Sequence, residues 1–230
     1  MTLTTPTTAV ASSPYTARRL LLGAAAGPLW LVIGFVQIPF HPGFDITEHA
    51  FSYLSIGPNG GVQIANFICA GALLVLAATG LPGVIPGRRG KVAAGLLGAW
   101  GVAKIASGVF TVDPSFGYPP DAPPGMPAQL SSHAVLHGFA FGASVILWVT
   151  LLLVLGSVFA RRMERPWAVA CRVMALGLFL VPPLSFGPNG AVAIYVGMAL
   201  GYLFFAMALL HLKRTGLGTE RQVGPRACDP

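Results

Sequence analysis

This 230-residue chain predicts an all-α protein, a bundle of six transmembrane helices. Three observations carry that reading. Hydrophobic residues make up 54% of the chain and charged residues only 9%. A soluble domain carries roughly a quarter charged residues, so this surface is built for lipid. Six continuous apolar stretches reach the roughly 20 residues that cross a bilayer core. The basic residues, finally, crowd into alternate connections.

The spans are expected at 20–40, 61–85, 92–112, 133–159, 167–187 and 190–212. Their apolar runs are continuous rather than alternating, which excludes a membrane β-barrel. Arg18 and Arg19 precede the first span, and Arg88, Arg89 and Lys91 separate the second from the third. Arg161, Arg162 and Arg165 separate the fourth from the fifth. Lys213, Arg214, Arg221 and Arg226 follow the sixth. The other three connections hold no Lys or Arg. The positive-inside rule then puts both termini in the cytoplasm of a cell in whose plasma membrane the chain sits. The same pattern explains the net charge of +7 without nucleic acid as a partner. Membrane lipids are the expected partners, and the oligomeric state is not readable.

The domain organisation follows. Residues 1–17, rich in Thr, Ser, Ala and Pro, read as a disordered cytoplasmic N-terminus. Residues 18–214 form the membrane domain, and 215–230 a disordered cytoplasmic tail. ARRLLLGAAAG (17–27) resembles a twin-arginine export signal, but no small-residue cleavage site follows it. Cys69 and Cys171 fall in spans and Cys228 in the tail, which gives no disulfide framework.

One stretch is written twice. LSIGPNGGVQI (54–64) and LSFGPNGAVAI (184–194) agree at eight of eleven positions. Each copy ends an outer connection and opens an inward-running helix. Proline sets φ and Asn-Gly tolerates positive φ, so a tight turn is expected before each helix. QLSSHAVLHG (129–138) opens the fourth span with a similar Leu-Ser. The bundle can accordingly be read as three parallel hairpins, spans 1–2, 3–4 and 5–6. Convergence on one good turn explains the likeness equally well. Helix N-termini gathered at one end would also suit an anion.

Acidic and imidazole residues are as lopsided as the basic ones. His41, Asp45, Glu48, His49, Asp113, Asp121, His133 and His137 all fall on the outer side. In HPGFDITEHAFSYLS (41–55), Asp45 and Glu48 have capping-box spacing. A short helix over 46–55 would place Glu48, Ser52 and Ser55 on one face. The second outer connection (112–132) holds six of the 20 prolines and reads as a stiff lid. Asp113 stands just before Pro114 at the end of span three.

His133 and His137, four apart, share a helical face. Two such histidines are half of a zinc site, with Asp113, Glu48 and His49 as the candidates for the further ligands. Structural or acid/base roles compete with that reading. Lys104 is a lone charge inside span three, about 12 Å below its outer end by helix rise. An intramembrane charge is a functional hypothesis by default, and Glu48 or Asp45 is its expected carboxylate partner. Gly23/Gly27, Gly138/Gly142 and Gly197/Gly201 have the spacing of close helix contacts. Trp30, Trp100, Trp148 and Trp167 show no grouping into a binding box.

Two regions carry a family resemblance. HPGFDITEHAFSYLSIGPNGGVQIANFICAG, followed by GVFTVDPSFGYPPDAPPGMPAQLSSHAVLHG, resembles the signature regions of a bacterial multi-pass membrane family known as domain of unknown function 998. The resemblance spans about 20–212. It implies six membrane helices and no particular reaction. Asp45, His49, Ser52, Asp113, His133 and His137 match its polar signature.

The candidate site is thus Glu48, His49, Asp113, His133 and His137, with Lys104 beneath. A membrane-embedded enzyme acting on a lipid or isoprenoid is the first reading, by acid/base or zinc-assisted chemistry. A small transporter or lipid-binding protein is the second. A non-catalytic accessory subunit is the third.

Overall fold

The computed structural model describes residues 14–185 and 189–218. Six helices make up most of it: α1 (Pro14–Gln37), α2 (Gly61–Ala78), α3 (Arg88–Val109), α4 (Ser132–Arg161), α5 (Arg165–Leu184) and α6 (Gly190–Gly218). All six are long and apolar enough to cross a membrane, and no strand occurs among the described residues. The chain is a multi-pass membrane protein. The first and last helices outrun the expected membrane domain: α1 begins at Pro14 rather than 18, and α6 continues to Gly218 rather than 214. Proline at the first position of α1 is no obstacle there, since its missing N–H has no helical partner to lose.

Each helix packs on its neighbours in sequence, and α1 packs on α6, so the six close into a ring. The α2–α3 interface is the most extensive and α5–α6 the least. The packing therefore does not divide the helices into three hairpins. Outward faces are apolar: Phe139 is 73% exposed, and Val169, Val173, Leu176 and Leu180 line one side of α5 at helical spacing. A water-facing helix would reverse that pattern, and a lipid-facing one needs it.

Small residues set the closest approaches. A β-carbon on Gly27 would stand 2.1 Å from the Tyr202 ring of α6, and one on Gly23 would stand 2.4 Å from Ala77 of α2. Gly197 is as tight against Val181, and Gly201 against Trp148. Two of the three expected glycine pairs thus serve packing. The third, Gly138/Gly142, has open space beside it.

The basic connections share one face of the ring. Here Arg162 donates to the Val84 carbonyl (2.6 Å) and to Thr215 (3.3 Å), tying α4 to α6 and to the turn after α2. His211 of α6 is paired with Glu164 and stacked on Trp167. The opposite, lid face carries residues 38–60 and 110–131 and the α5–α6 turn.

The doubled sequence makes a doubled turn. Asn59 and Asn189 both take the left-handed conformation, with φ of 57° and 56°. Each accepts from the N–H three residues on, Val62 and Val192, at 2.9 Å. The following glycine is required by space: a β-carbon on Gly60 would sit 2.2 Å from the Ser55 carbonyl, and one on Gly190 2.0 Å from that of Ser185. Asparagine therefore supplies the φ and glycine the room. Residues 186–188 of the second copy lie outside the described residues.

Candidate functional site: a lidded aromatic cavity around Lys104

The lid roofs the site. Residues 46–55 do not form the expected single helix. A hydrogen-bonded turn closes over Asp45–His49, and a short 3₁₀ helix runs Phe51–Ser55. The Asp45 side chain accepts from the Thr47 N–H (2.8 Å) and hydroxyl (2.7 Å), which holds its carboxyl below the usual range. The reciprocal cap bond falls to His49 rather than Glu48. The Asp45 N–H donates to His49 Nδ1 (2.8 Å), so the ring proton sits on Nε2, which donates to the Phe116 carbonyl (2.9 Å). Buried His49 is thus the rivet between the two lid segments.

Two further bonds repeat that join. His41 Nδ1 and the Tyr118 hydroxyl lie 2.7 Å apart, and the Tyr53 and Ser115 hydroxyls 2.8 Å. Tyr118 is fully buried, and a β-carbon on Gly57 would lie 1.7 Å from its oxygen. Burial pushes the Tyr118 phenol up and the His41 imidazole down. The pair therefore closes uncharged. The proline-rich segment is fastened at its far end by Asp113, which accepts from the Ser131 N–H (2.7 Å) and hydroxyl (2.6 Å). Ser131 also caps α4, accepting from the Ala134 N–H.

Under this roof lies a cavity of about 220 Å³. Ala50, Phe51, Ser52 and Val112 close the lid end, and Trp100, Trp148 and Tyr202 line the other. Those three aromatics come from α3, α4 and α6, with Trp100 stacked on Trp148 at 4.3 Å. α5 contributes nothing to the wall. Gly138, at the lid-side end of α4, is the exposed member of the wall, and Ala50, Ser52, Val112, Phe141 and Ile194 are half-buried.

Lys104 stands one turn above Trp100 and is 5% exposed. Its partner is not Glu48. The amine lies 3.3 Å from the centroid of the Trp30 ring, 4.7 Å from Phe67 and 5.2 Å from Tyr202. Glu48 is exposed on the lid, and no ion pair to Lys104 occurs among the described residues. The expected ion pair fails because Glu48 stays on the exposed side of the lid while Lys104 is buried among aromatic rings. The tryptophans, expected to be scattered, are instead gathered: Trp30, Trp100 and Trp148 all wall this cavity. Only Trp167 stands apart, on the basic face. Desolvated cation–π contact returns about 2 kcal/mol, while taking an ammonium out of water costs several. The cage softens that cost and does not cancel it.

Other buried polar groups surround the lysine. The indole N–H groups of Trp30 and Trp148 and the hydroxyl of Ser144 are buried without a partner among the described residues. Asn66 holds Trp30 from behind, donating to its carbonyl (3.0 Å) and to Gln63 (3.1 Å). Gln37 of α1 donates to the same Gln63 oxygen (2.7 Å). This amide ladder between α1 and α2 is absent from the sequence reading. The signal was there: Gln63 and Asn66, three apart in an otherwise apolar span, share a face.

His137 also walls the cavity. Its Nδ1 lies 3.0 Å from the Ser107 carbonyl and 2.8 Å from that of Phe110. Both are acceptors, so Nδ1 carries the proton and Nε2 is left as an acceptor. His133, one turn away, is exposed and stands edge-on to Phe110. Asp113 is occupied by Ser131. Among the described residues no three His, Cys, Asp or Glu side chains gather closely enough to hold a metal ion. The zinc expected on His133, His137 and Asp113 therefore has no ready cage. Of the six candidate residues, Lys104 and His137 meet at the cavity, while Glu48, His49, Asp113 and His133 belong to the lid and its hinges.

A ring of membrane-length helices around a lidded polar-aromatic cavity defines a multi-pass membrane protein with an interior site. A family model described as a protein of unknown function, DUF998, matches residues 24–184, and the chain belongs to that family. No curated protein and no solved structure matches it.

Proposed function

We propose that this protein binds a membrane amphiphile, a lipid or isoprenoid, in the cavity around Lys104. One observation carries the reading: an enclosed apolar space whose wall bears a single amine inside an aromatic cage. At about 220 Å³ the space exceeds the roughly 150 Å³ that accepts benzene. It falls short of the ~300 Å³ at which drug-sized pockets begin. It suits a head group and a short length of chain, with the remainder trailing past Gly138 and Phe141 into lipid. The basic connections support a plasma-membrane location with the basic face cytoplasmic and the lid outside.

The test uses the tryptophans already in the wall. In nanodiscs, bromodecanol should quench tryptophan fluorescence saturably. Val145→Phe, which fills the cavity, should remove the saturable part and leave the linear quenching through bulk lipid. Purely linear quenching of the wild type would overturn the reading.

A second reading is favoured by His137. Its Nδ1 is spent on two carbonyls, which fixes the tautomer and leaves Nε2 as the ring's proton acceptor in a cavity that Lys104 and Ser144 also line. That is the geometry of an oriented general base. A membrane-embedded enzyme would use it on the same bound amphiphile. His137→Gln would then abolish turnover of a bound lipid without abolishing its binding.

A further inference from the structure

The cavity wall bears donors that the protein leaves unpaired. Lys104, the indole N–H groups of Trp30 and Trp148 and the hydroxyl of Ser144 are four buried donors. Each belongs to a residue that lines the one space. No Asp or Glu lines it. Buried charges in proteins are paired, and buried donors are bonded. The wall offers no carboxylate as counter-charge and leaves the two indoles and Ser144 unbonded, so the occupant is what pairs them.

Resting on the amphiphile-binding reading above, we propose that the head of the bound molecule is a monoanion, a carboxylate or a phosphodiester. Its negative charge sits against the Lys104 ammonium. Its oxygens accept from Ser144 and the two indoles. A single positive charge in an apolar wall matches a single negative one; a dianion would bring a second charge with no partner. A neutral ester or alcohol would satisfy some donors and leave the ammonium unpaired. Trp30 has a particular place in this arrangement. It offers its ring face to Lys104, its N–H is buried without a partner, and Asn66 donates to its carbonyl. The amide ladder of α1 and α2 thus positions a donor for the anion.

Competition against bromodecanol in nanodiscs tests this with the full chain. Decanoate and decyl methyl phosphate should relieve the quenching at a concentration on the order of tenfold or more below that of methyl decanoate, the scale of a charge-assisted hydrogen bond. Acetate, a free anion, should not relieve it. Lys104→Met should bring decanoate and methyl decanoate to the same concentration. If one of the two anions competes and the other does not, the proposal stands and the head is named. If decanoate, decyl methyl phosphate and methyl decanoate compete equally in the wild type, the anionic head is wrong and the binding reading survives. Relief by acetate would overturn the amphiphile's head as the anion in favour of a free ion. If bromodecanol itself shows no saturable site, the binding reading falls first, and this inference with it. The wild-type comparison needs no variant, so poor insertion of Lys104→Met leaves the test decisive.

Discussion

Gly27 and Gly138 show how differently two glycines of similar sequence surroundings behave. Each begins or ends a four-residue glycine repeat within an apolar span. Gly27 faces Tyr202, and a methyl there would reach 2.1 Å from the ring. Tyr202 in turn bounds the cage and stacks on the Trp100 layer. Gly138 faces open space. Overpacking a filled contact costs about 1–3 kcal/mol. Gly27→Ala should therefore lower the melting temperature in detergent by roughly 3–10 °C. Gly138→Ala should leave it within about 1 °C. A thermal-unfolding series on the two variants checks this, and equal effects would contradict the assigned contacts.

At the scale of the element, the lid is held by hydrogen bonds between segments and so has its own conditions of closure. His41 lies outside the spans, and burial holds its imidazole below the ordinary histidine value. The sign follows from linkage. A lowered folded pKa means that the open lid binds the proton better. Closure is full above about pH 6.5, the ordinary value, and weakens as the pH falls through the folded one. Amide exchange across residues 112–131, taken relative to the intrinsic rate at each pH, should quicken between about pH 7 and pH 5. In His41→Gln that increment should shrink, although exchange at pH 7 is faster from the start. Exchange that is flat with pH in the wild type would show that His41 does not govern the lid.

Sequence reasoning reached the elements unevenly, for reasons visible in particular residues. Apolar length and arginine placement report directly on spans, because lipid tolerates few alternatives. The Asn59 and Asn189 turns were legible because left-handed backbone selects so few residue types. Glu48 misled, since capping-box spacing is satisfied equally well by the next residue, His49, whose ring reaches both Asp45 and Phe116. The cage was invisible for another reason. Trp30, Trp100 and Trp148 sit on three different helices, and nothing in local spacing says which helices will face one another. Lys104 stands out as a lone charge in an apolar span, but its partners are aromatic faces, which leave no mark in a count of charges.

For the whole molecule, orientation is the prediction. The basic and lid faces are separated by six spans, and an even number brings both ends of the chain to one side. A reporter fused after Gly117, in the lid, should read as extracytoplasmic. One fused after Arg162, beside its bonds to Val84 and Thr215, should read as cytoplasmic. The opposite result at either position would overturn the orientation drawn from the arginines.

The contact between α1 and α6 has a consequence for how the molecule is made. Neighbouring helices can meet soon after each is inserted, but this seam joins the first span to the last. Until α6 arrives, Trp30 lacks Tyr202 and Lys104 lacks a third of its cage. The site is therefore incomplete until α6 packs against α1. A molecule that fits the finished cavity holds less well to the unfinished one, so by mass action it favours the completed form. Occupancy would then do the work of a clasp, fastening the two ends of synthesis together.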